Sequence, residues 1–204
     1  MSFINKVLLI TGAGSGIGAE TAIKFAKEGA NVVIVGRNVD KLRKIAEKCK
    51  KIGPKPLVIQ ADIGQDESAA KIVDEVIKAY KRIDVLVNNA GVLIFGTVMK
   101  QTLLQAYDQT MKVNVRGHIN LTTVAAPHLV KTKGNIINIS SLAGASAPEK
   151  PPTSAYHISK AALSHFSRCV ALELANSTNI NFNRFQKKES AMMKARTIKF
   201  LFFG

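Results

Sequence analysis

The chain is poor in aromatic residues: it has no tryptophan, and aromatics make up 6% of its 204 residues. Hydrophobic residues still account for 47%, which excludes a disordered chain and indicates a packed core. That core must therefore be mainly aliphatic. The length fits one domain with a sizeable core.

Cysteine is equally scarce. Cys49 and Cys169 lie far apart in the sequence, which excludes a disulfide framework and a cysteine metal site. Cys49 shares the apolar stripe of a predicted helix with Leu42 and Ile45, so we expect it to pack in the core. Because no signal-peptide pattern precedes the first strand, a reducing, cytoplasmic location is expected.

Long apolar runs and acidic residues are also few. The longest apolar stretch, around residues 85–99, is interrupted by Asn88 and Asn89, which makes it a poor membrane span. Lys and Arg number 29 against 14 Asp and Glu, for a net charge of +15. The densest basic cluster lies on one predicted helix and comprises Lys41, Arg43, Lys44, Lys48, Lys50 and Lys51. We interpret it as a solvated helix face; a polyanion surface is the alternative, but no nucleic-acid motif accompanies it, so no nucleic-acid partner is expected.

Short apolar strands alternate with helical segments over residues 1–175. The pattern predicts strands near residues 7–10, 31–35, 57–61, 83–87 and 136–139. It predicts helices near residues 17–28, 39–51, 103–130 and 154–174, and a further helix capped by Asp66 or Ser68. The helix over 103–130 should be interrupted or ended near Pro127. This alternation indicates an α/β fold, a Rossmann-type doubly wound parallel sheet in a single domain.

A glycine-rich turn follows the first strand. It reads Thr11-Gly12-Ala13-Gly14-Ser15-Gly16-Ile17-Gly18 and precedes a helix. Such a turn lets the backbone approach a diphosphate, and the helix N-terminus adds free N–H groups. A simple tight turn is the alternative, but the strand before it and the helix after it favour a dinucleotide site.

The end of the second strand bears on which dinucleotide binds. An NAD site usually carries an acid here for the ribose hydroxyls, whereas this chain has Gly36 and then Arg37. An arginine can pair with the 2′-phosphate of NADP. We therefore expect NADP, with NAD as the less favoured cofactor and a plain surface arginine as the structural alternative.

Two further patterns carry polar chemistry. Tyr156 and Lys160 are four residues apart on a predicted helix, so they share one face, and a nearby ammonium favours the phenolate. Tyr156 is thus a candidate proton donor or acceptor. Ser140 and Ser141 end the fifth strand, at the sheet edge where ligands bind in parallel α/β folds. By themselves, Tyr156 and Lys160 could equally be an exposed helix pair, and Ser140 and Ser141 could be ordinary strand-end caps.

Taken together and in this order, these motifs resemble the short-chain dehydrogenase/reductase family. The resemblance covers about residues 5–175. The matching residues are Thr11 to Gly18, Asp62, the run Asn88-Asn89-Ala90-Gly91, Asn114, Ser141, Tyr156 and Lys160. It implies an oxidoreductase that moves a hydride between NADP(H) and a carbonyl or alcohol substrate, with residues 1–175 as the dinucleotide-binding and catalytic domain.

The resemblance also implies a role for each residue. Tyr156 would be the general acid/base, and Ser141 would hydrogen-bond the substrate oxygen. Lys160 would bind the nicotinamide ribose, and Asn114 would hold a water of a proton relay. The residues expected to bind the cofactor are Gly12, Ser15, Gly16, Ile17, Gly18, Arg37, Asp62, Ile63, Asn89, Gly91, Tyr156 and Lys160. The resemblance implies no metal ligand. It does imply a homo-oligomer that forms through the two long helices.

Beyond the catalytic helix the resemblance ends. From Arg184 the Pro-Gly turn, the substrate loop and the last helix–strand unit of the family are not found. We therefore expect residues 176–204 to be a divergent basic tail, and the sheet to lack its last edge unit. This leaves a second function open: a catalytically impaired, shortened isoform that only binds the dinucleotide or partners other subunits.

Overall fold

The protein folds into a single layer of parallel strands covered by helices on both faces, as seen in a computed structural model that describes residues 3–147 and 152–177. The strands are β1 (Val7–Thr11), β2 (Asn31–Gly36), β3 (Leu57–Gln60), β4 (Val85–Asn88) and β5 (Asn135–Asn138). The helices are α1 (Gly16–Lys27), α2 (Val39–Lys50), α3 (Ser68–Tyr80), α4 (Leu103–Met111), α5 (His118–Thr132) and α6 (Ser154–Ser177). These bounds agree with the predicted ones to within a few residues, except that α4 and α5 were expected as one helix over residues 103–130.

The strand order is β3-β2-β1-β4-β5, and every pairing is parallel. The order reverses direction between β1 and β4, so the chain leaves the carboxyl ends of these two strands in opposite directions, and this creates a crevice. This confirms the predicted Rossmann-type doubly wound sheet. The predicted lack of a further edge unit beyond β5 concerns residues 178–204 of the proposed tail, which lie outside the described residues.

The core consists of two layers, one on each face of the sheet. On one face, strand residues such as Leu9 and Leu86 pack against α3, α5 and α6. On the other, Ile10 and Ile34 pack against α1 and α2, and Cys49 is buried there as predicted. Both layers are almost wholly aliphatic, in keeping with the composition.

The basic cluster lies on the exposed side of α2. Leu42, Ile45 and Cys49 form the buried stripe of this helix, and the lysines and arginine of the cluster are exposed around it. Asn38 caps the helix by accepting a hydrogen bond from the Lys41 N–H at 2.9 Å.

Two local predictions were wrong. Neither Asp66 nor Ser68 caps α3: the N-cap position is Glu67, and Asp66 instead pairs with Arg116 at 2.6 Å. The helical stretch is not broken at Pro127, which lies inside α5. Pro127 and Thr123 are both exposed, so the Thr123 carbonyl that loses its N–H partner can be hydrated.

The interruption lies instead at a π-helical turn, Lys112–Gly117, between α4 and α5. Gly117 allows the close approach that this turn needs, since a Cβ there would clash with the Ile63 carbonyl oxygen. Asn114, fully buried within the turn, is thereby aimed at the end of β4. π-helical turns in long helices frequently mark functional sites.

Candidate functional site

The glycine-rich turn forms a cradle at the carboxyl end of β1. Gly12 has a φ of +66°, and a Cβ there would lie 2.8 Å from the Ala90 Cα, so the turn requires glycine. Gly16 has a φ of +54° with nothing within 4 Å of a Cβ position, so it faces open space. Ser15 is the N-cap of α1 but its side chain makes no capping hydrogen bond. The N–H groups at this helix end are therefore available to a ligand.

The cradle is held in shape by the segment that follows β4. The Asn89 side-chain amide donates to the Thr11 carbonyl at 2.9 Å and to the Gly12 carbonyl at 3.3 Å. The buried Thr11 hydroxyl oxygen accepts the main-chain N–H groups of Asn89 at 3.0 Å and Ala90 at 3.1 Å. Gly18 completes the contact, because a Cβ there would lie 2.5 Å from the Asn89 amide nitrogen and from the Gly12 carbonyl.

A cavity of about 350 Å³ extends from this cradle over the carboxyl ends of β2 and β3. Of the residues predicted to bind the cofactor, its walls include Gly12, Ser15, Ile17, Arg37, Asp62, Ile63, Asn89 and Gly91. Gly16 and Gly18 do not line the cavity but shape the turn beneath it. An elongated anion with a planar base fits such a groove, with its phosphates at the α1 N-terminus.

Arg37 and Lys41 are the two cations in the cavity wall. Arg37 is exposed, and its carbonyl accepts a hydrogen bond from Gln60 at 3.0 Å, which fixes the backbone after β2. Lys41 lies over the cradle, since a Cβ on Gly14 would be 3.2 Å from the Lys41 Cβ. Sequence reasoning missed Lys41 by treating it as one more lysine of the solvated face.

Asp62 lies on the far wall, where it shapes the loop after β3. One of its carboxylate oxygens accepts the Gly64 N–H at 2.9 Å. The neighbouring Ile63 is buried and touches Gly117 of the π-helical turn. The far wall of the cavity and the helix that carries Asn114 are therefore in direct contact.

Tyr156 and Lys160 lie on one face of α6, as their spacing predicted. The Lys160 side-chain nitrogen is 5.6 Å from the centre of the Tyr156 ring. Lys160 is buried, and its ammonium donates to the Ile139 carbonyl at 2.8 Å. Burial lowers the pKa of Lys160 to about 8. A Cβ on Gly91 would be 3.8 Å from this nitrogen, so Lys160 adjoins the near end of the cavity.

The two serines after β5 have different surroundings. The Ser140 hydroxyl is turned toward α6, where it meets the Ser164 hydroxyl at 2.6 Å and the Lys160 carbonyl at 3.2 Å. The Ser141 oxygen accepts only the Ala143 N–H, at 3.2 Å, as the cap of a short 3₁₀ helix, Leu142–Gly144. Its hydroxyl hydrogen makes no hydrogen bond within the described residues, so Ser141 can donate to a substrate oxygen.

The Asn114 side chain ties the segment after β4 to α6, and its expected role in holding a water stays a prediction. Its amide oxygen accepts the Val92 N–H at 2.8 Å, and its amide nitrogen donates to the Val92 carbonyl and the Ser159 hydroxyl. Ser159 in turn donates to the Tyr156 carbonyl at 2.7 Å. Both amide hydrogens are therefore used in joining the end of β4 to α6 beside the Tyr156–Lys160 pair.

Within the described residues, no group of histidine, cysteine or carboxylate side chains is placed to bind a metal, and no helix is long and apolar enough to cross a membrane. Near the cavity lie the Lys160 ammonium and the free main-chain N–H groups of the cradle, and the Tyr156 phenol lies next to Lys160. This set can bind a dinucleotide and exchange a proton with a bound oxygen atom.

Comparison with known proteins agrees with this geometry. A model of the short chain dehydrogenase family matches residues 6–188. A curated relative from Sesamum indicum, 11-beta-hydroxysteroid dehydrogenase A, is 36% identical over 176 residues, which cover 86% of this chain and 50% of the relative. The chain thus spans about half the length of that relative.

Solved structures show the same fold. A short-chain type dehydrogenase/reductase from Mycobacterium marinum superposes with a TM-score of 0.82 at 30% identity, covering 87% of this chain and 72% of that one. An NAD⁺-bound xylitol dehydrogenase superposes with a TM-score of 0.80 at 29% identity, covering 86% and 67%. The chain belongs to the short-chain dehydrogenase/reductase family, whose members bind nicotinamide dinucleotides.

Proposed function

We propose that this protein transfers a hydride between NADP(H) and the carbonyl or alcohol carbon of a small molecule, with Tyr156 as the general acid/base. The observation that carries this proposal is the buried Lys160 ammonium 5.6 Å from the Tyr156 ring, beside a glycine cradle with free helix N–H groups. The bound nicotinamide supplies the hydride chemistry. The protein supplies orientation and the proton.

The roles of the side chains follow from their positions. In the direction of carbonyl reduction, the Tyr156 hydroxyl gives its proton to the substrate oxygen. The Ser141 hydroxyl donates a hydrogen bond to the same oxygen and polarises the carbonyl. Lys160 stabilises the phenolate that remains, because a buried ammonium acts through little water. Asn114 and Ser159 hold α6 against the end of β4, which keeps Tyr156 in place.

The cofactor cradle supports NADP over NAD. Arg37 stands where an NAD site would carry an acid, and Lys41 lines the same cavity wall. Neither has an ion-pair partner within the described residues. A 2′-phosphate between these two cations would gain charge-assisted hydrogen bonds, whereas the free ribose hydroxyl of NAD would not.

The preference is tested by titrating the chain with NADPH and NADH and following cofactor fluorescence. NADPH should bind about ten- to a hundredfold more tightly, because a charge-assisted contact contributes about 1.5–3 kcal/mol. Arg37→Asp should reverse the preference, and Lys41→Gln should weaken NADPH alone. Lys44→Gln, an exposed change on the same helix outside the cavity wall, is the matched control. Equal or tighter binding of NADH to the unaltered chain would refute the NADP assignment.

The catalytic assignment is tested by Tyr156→Phe. The variant should bind NADPH like the unaltered chain, because only the proton donor is lost. It should fail to oxidise NADPH, whichever carbonyl substrate is offered. Retention of a substantial rate would show that another group supplies the proton.

The substrate side favours an apolar molecule. Leu93 and Phe95 follow the Val92 position clamped by Asn114, and they are 45% and 65% exposed. The Gly96 N–H bonds the Pro152 carbonyl at 3.1 Å, which places this segment beside the start of α6. The Sesamum indicum relative is named for a hydroxysteroid, and the xylitol dehydrogenase for a polyol. A panel of steroid ketones and sugars would separate the two classes, with the ketones expected to react.

We also propose a homo-oligomer through the long helices. Ile119 on α5 and Ile158 and Leu172 on α6 are large apolar side chains that are 37%, 45% and 63% exposed. Packing these faces against a second copy would remove them from water. Sedimentation of the unaltered chain and of Leu172→Glu would test it, and a monomer in both cases would exclude this surface as an interface.

A further inference from the structure

Three polar side chains, four residues apart along the π-helical turn and α5, face the segment that leaves β4. Asn114 bonds both main-chain polar groups of Val92, at 2.8 and 2.9 Å. Thr122 accepts a hydrogen bond from the Asn88 side chain at 2.9 Å. His118 lies between them in this column. Each neighbour in the column therefore has a defined partner at the end of β4.

His118 differs from its neighbours because its ring has no such partner. It is 0% exposed, and neither ring nitrogen makes a hydrogen bond of acceptable geometry within the described residues. Burial and, next, the charge of Lys160 lower the pKa of His118 to about 3, and the nearby carbonyls of Asn114 and Ala90 only partly oppose this. The ring is therefore neutral, with one N–H to donate and one nitrogen to accept.

An unpaired imidazole is a costly choice for a core position. A buried polar group without a hydrogen bond loses its hydration and gains nothing in return. A phenylalanine or leucine would fill a similar space without this penalty. The ring is therefore expected to bind a small polar molecule that belongs to the working protein, and water is the one that fits between main-chain carbonyls.

The charged group that acts on the His118 ring is the Lys160 ammonium. Lys160 donates to the Ile139 carbonyl, which leaves two of its three N–H groups for other acceptors. The side chain of Asn114 has already used both amide hydrogens. Around the His118 ring, the groups with spare capacity are then the main-chain carbonyls of Asn114 and Ala90, and Lys160 is near enough for its charge to act on the ring.

We propose that His118 is a positioning residue of the proton path: its neutral ring, together with the Asn114 carbonyl, holds a water molecule that serves Lys160. The proposal rests on the proposed function. In carbonyl reduction, Tyr156 loses its proton to the substrate oxygen and becomes phenolate. Lys160 passes a proton to that phenolate, the held water passes one to the Lys160 amine, and the held water takes one back from bulk water, so that the proton gained by the substrate comes in the end from solvent. The imidazole gains and loses no proton overall.

The first test measures the ring itself. In the full 204-residue chain labelled with ¹⁵N-histidine, His118 should show a neutral ring at pH 6 and a cross-peak between its ring N–H and water. Both signals should persist with and without NADPH. A charged ring at pH 6, or a ring N–H without contact to water, would overturn the proposal whether or not the chain is active.

The second test measures turnover in three variants. His118→Phe should lower kcat for NADPH oxidation roughly tenfold and raise the solvent isotope effect, while KM, the NADPH dissociation constant and the melting temperature stay near those of the unaltered chain. His118→Gln, which keeps a donor and an acceptor, should restore most of the rate. His165→Phe, at an exposed position of α6, is the control and should change nothing.

The outcomes separate the two proposals. If His118→Phe keeps kcat and the isotope effect of the unaltered chain, His118 only fills space and the inference fails while the proposed function stands. If none of the carbonyl compounds tested leads the unaltered chain to oxidise NADPH, yet the neutral, water-bound ring is observed, the proposed function fails while the water site is supported.

Discussion

Thr11 provides a sharp test of how the cofactor cradle is held. Its side chain is 0% exposed, and its hydroxyl oxygen accepts two main-chain N–H groups, from Asn89 and Ala90, at 3.0 and 3.1 Å. Replacing it with valine keeps the shape and removes the acceptor. Two partly buried N–H groups then lose their partner, at about 1–2 kcal/mol each, so the free energy of unfolding should fall by about 2–4 kcal/mol.

The assay is urea unfolding followed by circular dichroism, with NADPH binding measured in parallel. The dissociation constant of NADPH should rise about tenfold, equivalent to about 1.4 kcal/mol, because the turn from Gly12 onward loses its anchor to the end of β4. Thr11→Ser keeps the hydroxyl and removes one methyl group. It should cost only about 1 kcal/mol and leave NADPH binding unchanged.

The comparison of the two variants decides the matter. If Thr11→Val unfolds within about 0.5 kcal/mol of the unaltered chain and binds NADPH as tightly, the hydroxyl is not what fixes the cradle. If Thr11→Ser is as damaged as Thr11→Val, the methyl group and its packing are responsible instead. Either result would refute the hydrogen-bond argument.

Three further outcomes are expected. Gly18→Ala should abolish NADPH binding in a fluorescence titration, because its Cβ would lie 2.5 Å from the Gly12 carbonyl; near-normal affinity would mean that the turn can shift. Burial raises the pKa of Asp84, but Arg82 and the other donors around it outweigh burial and hold that pKa below its usual range. Asp84 therefore stabilises the fold above about pH 4, and this contribution is lost as pH falls through its folded pKa. In urea unfolding, Asp84→Asn should lower the free energy of unfolding by about 1–3 kcal/mol at pH 7. The difference between the variant and the unaltered chain should shrink toward pH 2, and a difference that does not change with pH would contradict the linkage. Lys160→Ala should lose both turnover and NADPH affinity in steady-state and binding assays, and loss of turnover alone would remove its role in cofactor binding.

The elements and their order could be predicted from the sequence because they depend on local patterns. Apolar runs such as Val32–Val35 fit only strands covered on both faces, and the glycine-rich turn stands between a strand and a helix. The spacing of Tyr156 and Lys160 was enough to place them on one helix face. These features need no knowledge of distant residues.

The features that the sequence did not predict depend on long-range contacts. The π-helical turn needs Gly117 to touch the Ile63 carbonyl, and the cap of α3 was misassigned because Asp66 pairs with Arg116, fifty positions along the chain. His118 shows no sign of function in the sequence, since nothing in its neighbourhood along the chain reveals Lys160. Lys41 was missed for the same reason. No local signal distinguishes it from the other lysines of α2.

The clamp between Asn114 and Val92 has a consequence for how such a protein can be altered. It fixes the main chain at Val92, and the residues that follow, among them Leu93, Phe95, Val98 and Met99, are exposed and contribute little to the core. A library that varies these positions should give mostly folded proteins. This exposed segment could therefore be diversified by directed evolution while the clamp and the core stay unchanged.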